Sequence, residues 1–290
     1  MILPKKIKNL ALIIKGLFSL IILVYLFFIF DREQLSTIEL KTFLFILLGT
    51  GSTLLLLNAL ALRWKVLINF QGWSDFSLKD AYHGYMIGLF FNIFMPGNIG
   101  GDMMRTKYSA ERCRVSLKDA GLVVVAERLF GFISLLVLLV IGFSLNLEMF
   151  FTLEINHISL LLGIPLLIGV TVFAKYLISK HINVGYEKYF PLLVLSALAQ
   201  LTDIIVTKLF CWYFLLDVTI NELLFVMPLV YLAAAIPISL GGLGVREGAL
   251  VALLSLYGVE VSMAIMIAFM LYLSKVVAGI FGLPFYLYNK

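Results

Sequence analysis

Two short blocks of this sequence place charged groups beside an interrupted backbone. Pro96-Gly97-Asn98-Ile99-Gly100-Gly101-Asp102-Met103-Met104-Arg105 and Pro237-Ile238-Ser239-Leu240-Gly241-Gly242-Leu243-Gly244-Val245-Arg246 both read P-x3-G-G-x3-R, 141 residues apart. Proline removes a backbone donor and paired glycines reach conformations closed to other residues. Amides exposed near such a break are potential anion contacts. Further charges sit in apolar surroundings: Glu127 with Arg128, Asp203 with Lys208, Lys275, and Arg246 with Glu247. A charge at the centre of a bilayer costs about 2.5–3.5 kcal/mol even on the lenient insertion scale, so it usually marks function. Three acids face four bases in this set, which favours an anion such as a phosphate or a carboxylate. The plainer reading is that these charges pair with one another. Asp203 and Lys208 are five residues apart, a poor spacing for that on one helix.

Other chemistry has little support. His83, His157 and His181 show no metal-ligand spacing, and no phosphate-binding G-x-x-x-x-G-K-[ST] loop occurs. The sequence therefore implies no metal, no cofactor, no ATP hydrolysis and no enzyme. His83 reads as a satisfied polar group near a helix start, with a proton carrier as the alternative.

The elements that must position these groups follow from composition. Of 290 residues, 62% are apolar and only 13% are charged, about half the charged share of a soluble domain. That excludes a soluble enzyme or binding module. Nucleic acid is excluded as well, because the net charge of +5 collects on loops facing one side of a bilayer. Cys113 and Cys211 imply no disulfide framework. What remains is an all-α polytopic membrane protein.

About 20 apolar residues span a bilayer as helix. Residues 10–30, 42–62, 119–145, 158–178, 190–216 and 263–288 meet that rule, and the first is read as a retained anchor rather than a signal peptide. Residues 82–101 and 222–242 are apolar but broken by Pro96 and Pro237. Lys5, Lys6 and Lys8 put the N-terminus in the cytoplasm. Arg63, Lys65 and Lys79 mark a second cytoplasmic loop, and the run 102–118 a third. Both ends of 82–101 then lie on one side, so the segment enters and leaves without crossing. Residues 146–157 carry only acids and read as external, and Lys290 returns the C-terminus to the cytoplasm. For that return, 222–242 must dip in from outside. Lys107, Arg112, Arg114 and Lys118, with Lys175 and Lys188, are expected at the membrane surface beside anionic lipids. By loop charge alone Arg105 belongs with them.

The offset of 141 also carries the first three spans onto the last three. Chance recurrence of the ten-residue pattern has odds of about one in a thousand for this composition. Each half, about 1–146 and 147–290 of a single membrane domain, then holds three spans and one re-entrant hairpin. An odd number of crossings inverts the second half, as in many secondary transporters.

Asn92-Ile93-Phe94-Met95-Pro96-Gly97 with Gly100, Gly101, Asp102 and Arg105, then Glu127-Arg128-Leu129 with Gly131, then Ile236-Pro237 with Gly241-Gly242-Leu243-Gly244 and Arg246-Glu247, resemble the lysylphosphatidylglycerol synthase transmembrane-region family. The resemblance covers nearly the whole chain. It implies a polytopic lipid translocase of the plasma membrane, related to the flippase part of the multiple peptide resistance factors. It also implies two re-entrant elements of opposite orientation, with Arg105, Glu127, Arg128, Arg246 and Glu247 as polar motif positions. The synthase relatives append a soluble aminoacyl-transfer domain that these 290 residues lack, so synthesis of lysyl-phosphatidylglycerol is not expected.

The expectation is thus a translocase whose partner is a membrane lipid, either an anionic phospholipid or a polyprenyl-phosphate-linked one. Substrate contacts are expected from Arg105, Glu127, Arg128, Asp203, Lys208, Arg246, Glu247 and Lys275. Asn92, Pro96, Gly97, Asn98, Gly100, Gly101, Asp102, Pro237, Gly241, Gly242 and Gly244 shape the re-entrant loops. Transport would be passive or ion-coupled, with Glu127, Asp203 or Glu247 as proton carriers. An ion-coupled small-solute transporter and a membrane-embedded lipid-phosphate transferase are the alternatives, and self-association is left open.

Overall fold

The structure, a computed structural model, describes residues 17, 20–22, 24–28, 40–73, 76–94, 99–146, 186–236 and 242–288. From residue 40 onward nine helices follow one another in these residues: α1 (Leu40–Phe70), α2 (Leu78–Phe94), α3 (Ile99–Cys113), α4 (Leu117–Leu145), α5 (Tyr186–Tyr213), α6 (Ile220–Ala235), α7 (Val245–Ser255), α8 (Val261–Ile280) and α9 (Leu283–Tyr288). Leu40–Phe70, Leu117–Leu145, Tyr189–Tyr213 and Val261–Tyr288 are long and apolar enough to cross a bilayer. The expected span at 158–178 lies outside the described residues. Of the span at 10–30, the described residues are helical, and Leu26 is buried against the second half of the chain.

Helix starts are fixed locally. Ser77 and Asp80 open α2 with reciprocal bonds, Ser77 N to Asp80 Oδ2 at 2.9 Å and Asp80 N to Ser77 Oγ at 3.1 Å. Thr219 and Glu222 open α6 with the same capping box, and Ser116 caps α4. These boxes satisfy amides that a helix start would otherwise leave bare.

Two sequence expectations are corrected here. The stretch 63–79, read as a loop, begins as helix, because Arg63, Trp64, Leu67 and Ile68 extend the buried stripe of α1 to its end at Phe70. The basic run 102–118, also read as a loop, is mostly α3, the return limb of the first hairpin. Gly100, Gly101, Arg105, Ser109 and Ala110 form its buried face, and that helical periodicity outweighs the charge density.

Both broken segments are antiparallel hairpins. Arg112 Nε donates to Asp80 Oδ1 at 2.9 Å at the base of the first, and Gly101 N donates to Asn92 Oδ1 at 2.7 Å near its tip. Partial burial pushes the Asp80 carboxyl up, but bonds from Ser77 and Arg112 outweigh it and hold the group below the usual carboxylate range. A Cβ at 101 would lie 2.7 Å from Asn92 Oδ1 and 2.8 Å from the Gly88 carbonyl oxygen. A Cβ at 242 would lie 2.8 Å from that of Ala234, and Gly242 also has φ of +83°. The second glycine of each motif is therefore a point of close approach between the two limbs of its hairpin. The tips at 95–98 and 237–241, with Pro96, Gly97, Asn98, Pro237 and Gly241, lie outside the described residues.

Under the 141-residue offset α1–α4 correspond to α5–α8, and so do their packing partners. The hairpin pairs α2–α3 and α6–α7 correspond, as do α3–α4 and α7–α8, α1–α2 and α5–α6, α4–α6 and α8–α2. The two central helices α1 and α5 pack on each other. They run antiparallel: Thr42 meets Tyr213 at one end, and Arg63 meets Ser196 toward the other. Each hairpin follows one of these helices in sequence, so the two hairpins start at opposite ends of the bundle. Two apolar cores form, one around Trp64, Phe76 and Phe130, the other around Phe210, Leu223 and Leu254, and each takes in residues from the opposite half, Leu192 in the first and Leu26 and Ile46 in the second.

Candidate functional site

The second turn of α3 and the first turn of α7 each deliver an arginine inward, Arg105 and Arg246. Both line one cavity of about 880 Å³ between the hairpins and helices α1, α4, α5 and α8. Five cationic side chains line it (Arg63, Arg105, Arg128, Arg246 and Lys275) against three carboxylates, Asp102, Glu127 and Asp203. Apolar walls from Leu57, Leu89 and Leu135 complete the lining.

Two polar clusters occupy this cavity. In the first, Glu127 of α4 accepts from Arg63 Nη2 at 2.9 Å and Arg63 Nε at 3.3 Å on one oxygen, and from Arg105 Nη1 at 2.6 Å on the other. The Tyr85 hydroxyl also donates to it. Arg63 Nη1 reaches Ser196 Oγ on α5 at 2.7 Å. The Arg105 guanidinium lies 4.2 Å from the Tyr85 ring centroid and 5.1 Å from that of Trp64, so its charge is met by π faces as well as by carboxylate. Asp102 bridges outward, accepting from Arg105 Nη2 at 3.0 Å and from Arg128 Nη2 at 2.8 Å. This cluster joins α1, α2, α3, α4 and α5.

The second cluster belongs to the other half. Lys275 Nζ of α8 lies 3.1 Å from Asp203 Oδ2 of α5 and 3.0 Å from the Tyr231 hydroxyl of α6. That hydroxyl donates to the same Asp203 oxygen. Arg246 is held by its neighbour, Nη2 donating to Glu247 Oε1 at 2.6 Å, while Glu247 Oε2 accepts from Gly244 N at 2.8 Å.

Most of the sequence-derived positions therefore converge. Asn92, Gly101, Asp102, Arg105, Glu127, Arg128, Asp203, Gly242, Arg246 and Lys275 all line the cavity. Glu247 stands behind Arg246 and caps α7; Gly100 is buried in the first turn of α3. Lys208 is elsewhere, with Nζ donating to the Val218 carbonyl at 2.6 Å. His83 meets the Phe285 carbonyl at 2.9 Å. Arg63, Tyr85, Ser196, Gln200 and Tyr231 also line the cavity, and residue spacing marks none of them. The helix of Arg63 has almost no polar–apolar periodicity, so its buried position carries no sequence signal, and a tyrosine in an apolar run has none either. Among the described residues, no three His, Cys, Asp or Glu side chains are grouped to hold a metal ion.

The fold and this cavity define a helical membrane protein in which two broken hairpins, starting from opposite ends of the bundle, meet around a buried ionic site. The chain belongs to the lysylphosphatidylglycerol synthase TM region family, which matches residues 12–282. No curated protein and no solved structure matches it.

Proposed function

We propose that this protein is a lipid translocase that carries a phosphate-bearing headgroup between leaflets through the cavity between its hairpins. The observation that carries this reading is the excess of cationic side chains over carboxylates in an apolar-walled cavity of about 880 Å³. That volume suits a ligand of headgroup size. An anion entering it gains donors from Arg128, which is exposed, and from Arg246 and Lys275, which are partly exposed, while acyl or prenyl chains stay in the bilayer. In this reading the halves are inverted repeats set in the plasma membrane with both termini cytoplasmic, and the protein is not an enzyme. The paired packing of the two halves and the antiparallel α1 and α5 support the inversion.

The test is reconstitution into phosphatidylcholine vesicles with fluorescent phosphatidylglycerol or fluorescent polyprenyl phosphate in one leaflet. Headgroup movement well above that of protein-free vesicles is expected for at least one of them. No movement of either refutes the translocase, and uptake of free glycerol phosphate without lipid movement assigns a solute transporter instead.

A further inference from the structure

We infer that Asp203 is a proton-exchanging site opened by the cargo: the phosphate takes Lys275 from Asp203, and a solvent proton takes the place of Lys275. The inference rests on the translocase reading and specifies how the same cavity is coupled.

The two clusters occupy equivalent halves but differ in saturation. Glu127 is 1% exposed and receives donors on both oxygens from two arginines and a tyrosine. Losing one of those partners would leave a guanidinium bare in a low-dielectric interior, so that cluster is a fixed strut. Asp203 is different. Its two side-chain donors, Tyr231 and Lys275, meet the same oxygen, Oδ2. Among the described residues no hydrogen bond reaches Oδ1. Asp203 is 18% exposed and Lys275 30%, so a ligand in the cavity reaches both partners.

Lys275 is also the group best suited to change partners. Its ammonium is a compact charge with three donors on a flexible stem, and here it bonds one carboxylate and one hydroxyl. Arg246 lines the same wall. A phosphate oxygen placed between these two cations would be held from two helices, α7 and α8. Asp203 would then be an ionised carboxylate with only the Tyr231 hydroxyl, a costly state away from water. Protonation removes that cost. One O–H bond forms on Asp203, one O–H bond of a hydronium ion breaks, and water is left on the side from which the cargo entered. Release on the other side reverses the exchange.

The surroundings leave no nearer base to take that role. Tyr231 faces Asp203 from α6, Arg246 with Glu247 from α7, and Lys275 from α8. Across the cavity on α1 and α4, Arg63, Glu127 and Arg128 are occupied with one another and with Asp102. Lys208, on the helix of Asp203 itself, is turned to Val218. Glu247 is tied to Arg246 and the Gly244 amide.

One proton travelling with one monoanionic lipid makes the exchange electroneutral. In proteoliposomes with fluorescent phosphatidylglycerol and a transmembrane difference of about one pH unit, the lipid should accumulate in the alkaline leaflet, up to about tenfold at steady state. A membrane potential set with potassium and valinomycin should leave that ratio unchanged. Asp203→Asn, which has no proton to exchange, should hold the ratio at one. Fluorescent polyprenyl phosphate run in parallel shows which lipid supplies the phosphate. Lipid that exchanges across wild-type vesicles at a ratio of one under the gradient overturns the coupling while leaving the translocase intact. Gradient-driven accumulation by Asp203→Asn overturns it too, and no exchange of either lipid removes the translocase and the coupling together.

Discussion

Arg105 and Glu127 are joined at 2.6 Å across the interface between α3 and α4. The bond fastens the return limb of the first hairpin to a membrane-spanning helix, with both side chains almost fully buried. Paired charges buried this deeply add little net stability as a unit, yet removing one partner is costly, because the other is left without compensation.

Glu127→Gln should therefore destabilise the protein by about 3–5 kcal/mol, read as a lower midpoint of SDS unfolding in mixed micelles. Adding Arg105→Met should cost less than the sum of the two single changes, since the arginine has lost its main partner already. Additive costs would show that the two residues are not coupled.

Close helix crossings give a second prediction. Pro228 lacks the amide that would bond the Leu224 carbonyl, and α4 packs tightly on α6 at that carbonyl, through Gly142. A Cβ at 142 would overlap the Leu224 backbone, which cannot rotate away as a side chain can. Gly142→Ala should sharply reduce the yield of folded protein. Gly51→Ala meets nothing within 4 Å and should be tolerated, with a gain of about 0.5–1 kcal/mol from helix propensity. Equal yields for both would contradict the crossing.

What the sequence made legible divides along physical lines. Four of the six expected spans, and the broken segments, were visible because bilayer thickness fixes helix length, and the recurring Pro-Gly-Gly-Arg spacing located two of the four arginines that line the cavity. Loop charge misled wherever a cation sat on a buried helix face. Arg63 and Arg105 counted as loop cations until their helices showed them pairing with Glu127. Tyr85 and Tyr231 were invisible because an aromatic in an apolar run fits lipid contact equally well. Asp203 was legible as an acid in a membrane span, but its partner was not. Lys208 was nearest in sequence, whereas Lys275, on another helix, is the residue that meets it.

The partly exposed cavity cations Arg246 and Lys275 should set the transport rate. Hydrogen bonds to charged groups contribute about 1.5–3 kcal/mol each, so Arg246→Gln and Lys275→Gln should each slow movement of the phosphate lipid by about ten- to a hundredfold. Lys208→Gln lies outside the cavity, its ammonium on the Val218 carbonyl, and should leave the rate within about twofold. A loss at Lys208 equal to that at Lys275 would place the path elsewhere in the bundle.

Orientation of the two hairpins is the last prediction. α1 and α5 run antiparallel, so the hairpins that follow them start at opposite ends of the bundle. Glu111, near the base of the first hairpin, is 68% exposed, and Asp217, just ahead of the second, is exposed as well. In a background carrying Cys113→Ser and Cys211→Ser, cysteines placed at 111 and 217 should react with a membrane-impermeant maleimide from opposite sides. Position 111 should react only when the cytoplasmic face is open, because Lys107, Arg112 and Arg114 near it follow the positive-inside bias. If both react from the same side, the two hairpins do not enter from opposite leaflets, and an anion bound between their arginines has no route from one leaflet to the other.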